Sequence, residues 1–134
     1  KSAEFYKKAI AIARDDFKAN YNLGLLKLAN KDYAGAQSFF EIACRSEPSE
    51  MIAWNQYIRA SMQLQDFANA LHACDVVLSV TPNSPFALSI SSIASAGLKD
   101  SVSAKQFMVR LKEVNAERWQ QLVDSNETLR ALVQ

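Results

Sequence analysis

Glycine and proline are scarce. The 134 residues hold three of each, too few for a collagen-like or low-complexity chain. Histidine occurs once and cysteine twice. A metal site needs three or four ligands. His72 and Cys74 stand two apart on a helical run, so they point away from each other, and nothing completes a site. His72 therefore reads as a surface or half-buried residue. Cys44 and Cys74 make no disulfide framework. Each lies among apolar neighbours and reads as a small buried hydrophobe. The pair fits a reducing compartment, such as the cytoplasm, better than an oxidising one. Long apolar runs are missing as well. The longest weakly polar stretch, Ala87 to Leu98, is too short and too serine-rich to span a bilayer. An excess of one charge is also lacking: 15 basic residues face 14 acidic ones, for a net charge of +1. The densest basic cluster is Lys7-Lys8. Nucleic-acid binding needs a concentrated basic footprint, so no such partner is expected. No glycine-rich phosphate loop is present, and no polar groups converge as an active site requires. The expectation is a chain without catalysis, metal or cofactor.

What is present is a period. Ala19, Ala53 and Ala87 are spaced 34 apart. Asp32, Asp66 and Asp100 keep the same step, as do Ala36, Ala70 and Ala104. Pro48 and Pro82 repeat it once more. A fixed period of this length marks stacked supersecondary units, each burying its core against its neighbours.

Residues 1–16 have apolar positions at Phe5, Tyr6, Ala9, Ile10 and Ala13, which is helical spacing. Tyr6 precedes Phe40, and Ala9 precedes Ala43, by one period. The segment therefore reads as the second helix of a partial repeat, its first helix lying upstream in a longer parent chain. A new helix is expected from Phe17 to Asn30. Leu23, Leu26 and Asn30 share one side of it, and Lys18, Tyr21, Leu25 and Leu28 another. Gly24 is unusual mid-helix, where it costs about 1 kcal/mol relative to alanine. Its missing side chain implies that another helix approaches closely. Asp32 is a good N-cap for a return helix over 33–45, with Ala36, Phe39, Phe40 and Ala43 inward. Pro48 ends the unit.

The second unit repeats the plan. Its first helix, 51–64, offers Trp54, Tyr57, Ile58 and Leu64 to the core. Asp66 caps a return helix over 67–80 with Ala70, Cys74 and Val77 inward. The third unit opens on Ser84-Pro85, an N-cap followed by proline at the first helical position. Leu88, Ile90, Ile93 and Leu98 are its large apolar residues, while Ser89, Ser91, Ser92 and Ser95 make this helix the most polar of the first helices. Asp100 caps a return helix with Val102, Ala104, Met108 and Leu111 inward. Beyond Ala116 the pattern changes. Trp119, Leu122 and Val123 form one stripe, and Leu129, Leu132 and Val133 another. A capping box is expected at Asp124–Glu127. Two short helices would close the stack.

These residues resemble the tetratricopeptide repeat (TPR). In 17–50 the signature is close: Leu23-Gly24, Asp32-Tyr33, Ala36, Phe40, Ala43 and Pro48. In 51–84 Trp54, Asp66-Phe67, Ala70 and Pro82 match, and Tyr57-Ile58 departs from Leu-Gly. In 85–115 Asp100 and Ala104 match. The resemblance implies an all-α fold, a right-handed α-α superhelix of antiparallel helix pairs. It covers the whole chain as one domain: a half repeat at 1–16, repeats at 17–50 and 51–84, a degenerate repeat at 85–115 and capping helices at 116–134.

In that family the first helices line a concave surface. The resemblance implies that Lys18, Tyr21, Leu25, Leu28, Ile52, Asn55, Arg59, Met62, Gln63, Phe86, Ser89, Ile93 and Ala96 form the lining. The best-known mode of the family clamps the C-terminal carboxylate of heat-shock chaperones with Lys, Asn and Arg. The matching positions here hold Tyr21, Leu25, Gln56, Phe86 and Ile90, so the clamp is absent. An apolar, aromatic groove with Arg59 as its central charge suits an extended apolar peptide or an amphipathic helix. The expected function is a scaffold or adaptor that binds a protein or peptide, including the rest of its own parent chain. The alternatives are a structural section of a longer solenoid that self-associates or spaces domains, with Tyr21, Leu28 and Phe86 used for internal packing, and a secretion-type chaperone.

Overall fold

Lysine 31, glutamine 65 and lysine 99 share a backbone conformation that side chains disfavour. Their φ values are 61°, 56° and 66°, and they stand one period apart, each directly before a capping aspartate. Their setting is a computed structural model in which the backbone is described for residues 2–134 and the side chains for residues 16–134. The described residues form eight α-helices and no strand: α1 (Ser2–Ala29), α2 (Tyr33–Ser46), α3 (Met51–Gln63), α4 (Phe67–Val80), α5 (Pro85–Gly97), α6 (Ser101–Val114), α7 (Ala116–Ser125) and α8 (Glu127–Val133). They fall into two compact units, Lys1–Leu64 and Gln65–Gln134. The division lies between the two helices of segment 51–84.

The left-handed residues close the first helices. Asp32 N–H donates to the Lys27 carbonyl and Lys31 N–H to that of Leu28. Asp100 and Lys99 do the same to Ser95 and Ala96. This is the Schellman closure, which normally favours glycine at the left-handed position. Each aspartate then starts the next helix: Asp32 accepts from Gly35 N–H, Asp66 from Asn69 and Asp100 from Ser103. The three expected caps are all formed. A left-handed non-glycine residue costs roughly 1–2 kcal/mol, and glycine loses more chain entropy by about 0.5–1 kcal/mol. Lys31→Gly and Lys99→Gly should each stabilise the chain by about 0.5–1 kcal/mol in urea melts.

In the first unit α2 packs on α1 and α3 on α2. Ala36, Phe40 and Ala43 are fully buried, as the period predicts. Trp54 donates through Nε1 to the Pro48 carbonyl at 2.9 Å, tying the inter-repeat turn to α3. Two expectations fail here, the break at Phe17 and the burial of Leu64. No boundary exists at Phe17: α1 is one 28-residue helix. One period before Pro48 and Pro82 stands Arg14, which does not break a helix. Within α1, Asn20 donates through Nδ2 to the Asp16 carbonyl, in register with the helix. Leu23 and Leu26 are 41% and 57% exposed; among the described residues no helix covers that side of α1. Leu64 is exposed because it is the C-cap of α3. Phe5, Tyr6, Ala9, Ile10 and Ala13 lie outside the residues whose side chains are described.

In the second unit α5 packs on both α4 and α6. Ala70, Cys74 and Val77 of α4, Leu88 of α5, and Ala104, Met108 and Leu111 of α6 are buried. Val102, expected inward, is 67% exposed in the first turn of α6, and Leu98 is exposed as the C-cap of α5. The serines behave oppositely. Ser91, Ser92 and Ser95 are fully buried. Small side chains let α5 sit against its neighbours, as expected for a helix with little bulk. Ser92 donates to the Leu88 carbonyl; the Ser95 hydroxyl has no hydrogen-bond partner, and that of Ser91 has only the Cys74 thiol beside it.

The period explains Ser95. Its counterpart Ser61 accepts from Gln37 Nε2 at 3.0 Å. The position one period after Gln37 is Leu71, which has no donor. An unmade buried hydrogen bond costs about 1–3 kcal/mol. Ser95→Ala should therefore stabilise by about 1 kcal/mol, while Ser61→Ala should destabilise by a similar amount; thermal melts of the two variants should shift in opposite directions.

The tail is two helices, as expected. Asn115 caps α7 by accepting from Arg118 N–H at 2.9 Å. Asn126 caps α8 by accepting from Leu129 N–H. The capping box at Asp124–Glu127 is not formed: α7 runs on through Ser125, and the chain turns extended only at Asn126. Val123 and Leu129 join Ala104 and Met108 in a cluster, with Ile93, Ala96, Trp119, Leu122 and Leu132 packed against it. Lys112 Nζ lies 4.4 Å from the Trp119 ring centre, a cation–π contact.

Candidate functional site

The candidate residues of the first unit lie on α1 and α3. Lys18 is exposed and lines a shallow cleft of about 380 Å³ with Phe17, Glu47 and Glu50. Tyr21 is half-buried. Its ring stacks on Phe17 at 5.7 Å and meets Phe40 at 5.8 Å and 56°. Much of its surface is therefore spent on packing within the unit. Leu25 and Leu28 are half-buried. On α3, Ile52 is half exposed at 50%, Arg59 and Gln63 are exposed, and Asn55 and Met62 are half-buried.

The candidates of the second unit lie on α5, and here a cleft forms. Ser89, Ile90 and Ile93 of α5 face Arg118, Gln121, Leu122 and Ser125 of α7 across about 410 Å³. Ser89 is buried and its hydroxyl is occupied. It donates to the Pro85 carbonyl at 2.7 Å and accepts from Arg118 Nε at 3.2 Å. This bond holds the Arg118 side chain against the cleft. Phe86 is half-buried. Ile93 and Ala96 turn partly toward the cap cluster, and Ile93 also lines the cleft beside Leu122. The lining carries one charge, that of Arg118. Sequence reasoning missed Arg118 because it took α7 only as a lid. Its spacing held the signal: Arg118, Leu122 and Ser125 at i, i+4 and i+7 share one helix face.

The thiols are chemically quiet. Burial first, and Glu41 second, pushes the Cys44 thiol up to about 12. Burial likewise pushes the Cys74 thiol up to about 11, although the neighbouring Ser91 hydroxyl pulls the other way. A thiol at such values is not a nucleophile near neutral pH. Among the described residues, no three of the histidines, cysteines, aspartates and glutamates group as metal ligands. No described helix is long and apolar enough to cross a membrane.

No protein-family model matches the chain, and no curated protein matches it either. Solved structures do. The first TPR of Spaghetti (RPAP3) bound to the HSP90 peptide SRMEEVD superposes with a TM-score of 0.73 at 16% identity, over 90% of this chain and 95% of that one. The N-terminal domain of stress-induced protein-1 (STI-1) from C. elegans gives 0.71 at 20% identity, over 91% and 98%. PcrH from Pseudomonas aeruginosa gives 0.71 at 16%, over 90% and 93%.

The chain has the TPR fold.

Within the TPR fold the helix assignment becomes simple. The α2, α4 and α6 segments are the return helices, each 14 residues long. The α3 and α5 segments are first helices of 13 residues. Helix α1, at 28 residues, is longer than any of these.

Proposed function

We propose that this chain is a non-enzymatic protein-interaction module that holds an apolar peptide or amphipathic helix of a partner on its first-helix faces. The α5–α7 cleft carries the proposal. Its floor is Ile90, Ile93 and Leu122, and Arg118 is its one charged lining residue. Such a cleft favours an apolar segment with an acidic group placed for the guanidinium. Structures of the same fold include one with the HSP90 peptide SRMEEVD and a complex of the yeast Sti1 TPR2B domain with pHsp70. Those complexes support peptide capture as the mode of action. The positions of the family's carboxylate clamp hold Tyr21, Leu25, Gln56, Phe86 and Ile90, so the acidic group would be met by Arg118 instead. On the first unit, taken by itself, Lys18, Leu25, Leu28, Ile52, Asn55, Arg59, Met62 and Gln63 form a second proposed contact surface, with Tyr21 contributing its exposed edge.

The test is peptide selection on the immobilised chain, followed by fluorescence anisotropy of the selected sequences. Acidic-apolar peptides are expected. Arg118→Glu and Ile93→Glu should each weaken binding about tenfold, the scale of one good contact, with circular dichroism unchanged. Selected peptides that bind both variants as well as the parent chain would remove the cleft from the reading.

A further inference from the structure

The α5–α7 cleft does not end at Arg118. A second hollow of about 250 Å³ adjoins it, lined by Asn115, Glu117, Arg118 and Gln121. Arg118 and Gln121 line both spaces, and all of these residues belong to the second unit. The chemistry changes across the boundary. On the cleft side the floor is Ile90, Ile93 and Leu122. In the hollow nothing apolar remains: two amides and a carboxylate stand beside the shared guanidinium.

The order of these groups follows from the helix. At about 3.6 residues per turn, the side chains around α7 run Leu122, Arg118, Gln121, Glu117. The apolar floor and the carboxylate thus lie on opposite sides of the guanidinium. Arg118 is held between them. Its Nε donates to Ser89 Oγ at 3.2 Å, and its backbone N–H donates to Asn115 Oδ1 at 2.9 Å. Its other guanidinium nitrogens have no partner among the described residues. Sequence neighbours on a helix do not face each other, and Arg118 makes no ion pair with Glu117. The side chains of Glu117 and Gln121 likewise make no hydrogen bond to another described residue. One positive and one negative charge are therefore both available, in a set order.

We infer that the hollow is a subsite for a basic side chain, so that the partner segment presents an apolar, an acidic and a basic group in that spatial order. The apolar group rests on Ile93 and Leu122, and the acidic group meets Arg118. A lysine or arginine reaches Glu117, with the Asn115 and Gln121 amides beside it. An acidic group at Arg118 has the Glu117 carboxylate for a neighbour, and a basic group in the hollow offsets that repulsion. This subsite rests on the cleft proposed above and adds to it the third group and the order.

Peptide selection on the immobilised chain, with the selected sequences aligned on their acidic residue, should show lysine or arginine enriched on the side away from the apolar residues. Glu117→Lys should invert that preference toward glutamate and aspartate. In fluorescence anisotropy it should weaken the selected basic peptides about fivefold at low ionic strength, since an attraction becomes a repulsion, and less as salt is raised. Replacing the basic residue of such a peptide by glutamate should restore its binding to Glu117→Lys. The rescue separates a contact from a structural role of Glu117 in the first turn of α7, which no change in the peptide can repair. Three results would overturn the subsite and leave the cleft standing: no basic enrichment with the parent chain, a rescue that fails, or Glu117→Lys binding the same peptides unchanged while Arg118→Glu and Ile93→Glu still weaken them. A selection that yields no peptide, or peptides that bind Arg118→Glu and Ile93→Glu as well as the parent chain, would remove the cleft and the subsite together.

Discussion

Gly24→Ala should destabilise the chain by about 2 kcal/mol, although alanine is the better helix former by about 1 kcal/mol. A Cβ built on Gly24 would sit 2.5 Å from Cε1 of Phe40 and 2.6 Å and 2.8 Å from two more atoms of that ring. The ring has nowhere to go. Phe40 is fully buried, and Tyr21 closes one side of it at 5.8 Å. Overpacking of this kind costs about 1–3 kcal/mol and more where the neighbour cannot move. The sign of the effect should depend on Phe40. In a Phe40→Leu background the clash is relieved, and Gly24→Ala should then become stabilising through helix propensity alone. Phe40→Leu by itself lowers stability, and the double-mutant cycle in urea should give a coupling of about 2 kcal/mol. Equal losses in both backgrounds would mean that the glycine serves something other than the approach of α2.

The second large effect lies in the cap. Leu129 is fully buried and packs with Ala104, Met108 and Val123. Leu129→Ala should cost about 2–5 kcal/mol, the range for deleting a buried leucine side chain. The loss should be local at first. Helix α8 has seven residues, too few to persist without tertiary contacts. Its other anchor is Arg130, which donates through Nε to the Val123 carbonyl at 3.1 Å. Amide exchange should therefore show 127–133 unprotected in the variant, and 116–125 weakened with it. Trp119 fluorescence should shift to the red as water reaches the cluster. Uniform protection across α7 and α8 in Leu129→Ala would contradict the role of the leucine as anchor.

Gly24 shows how far the sequence could be read. A glycine mid-helix, one period set, and small residues at Ala36 and Ala43 together implied a close helix approach, and Phe40 is where it occurs. The capping aspartates were legible for the same reason: their role is local, set by the residue and the three that follow. Asn126 was also readable in principle, but Asp124 offered a rival cap two residues earlier, and only the end of α7 decides between them. The continuity of α1 was harder. The period argued for a break near Phe17, whereas a helix breaks only where a residue breaks it, and Arg14 does not. The exposure of Leu23 and Leu26 could not be read from their own spacing either, because it depends on what packs beside the helix. For the candidate site, spacing could assign residues to helix faces but not to contacts. Phe86, Ser89 and Ile93 were placed on one helix side, but the partner wall of the cleft, Arg118 and Leu122, comes from a helix outside the repeat period. Periodicity has no access to such a contact.

The two cysteines have a practical consequence. Cys44 lies in the first unit and Cys74 in the second, both buried and both with thiols raised far above neutral pH. A thiol reagent can reach either one only when its own unit opens. The natural chain thus carries one opening reporter in each half, with no label to engineer. Mass spectrometry of alkylated peptides would time the two openings separately in a single sample, and would show whether the halves of the protein breathe together or apart.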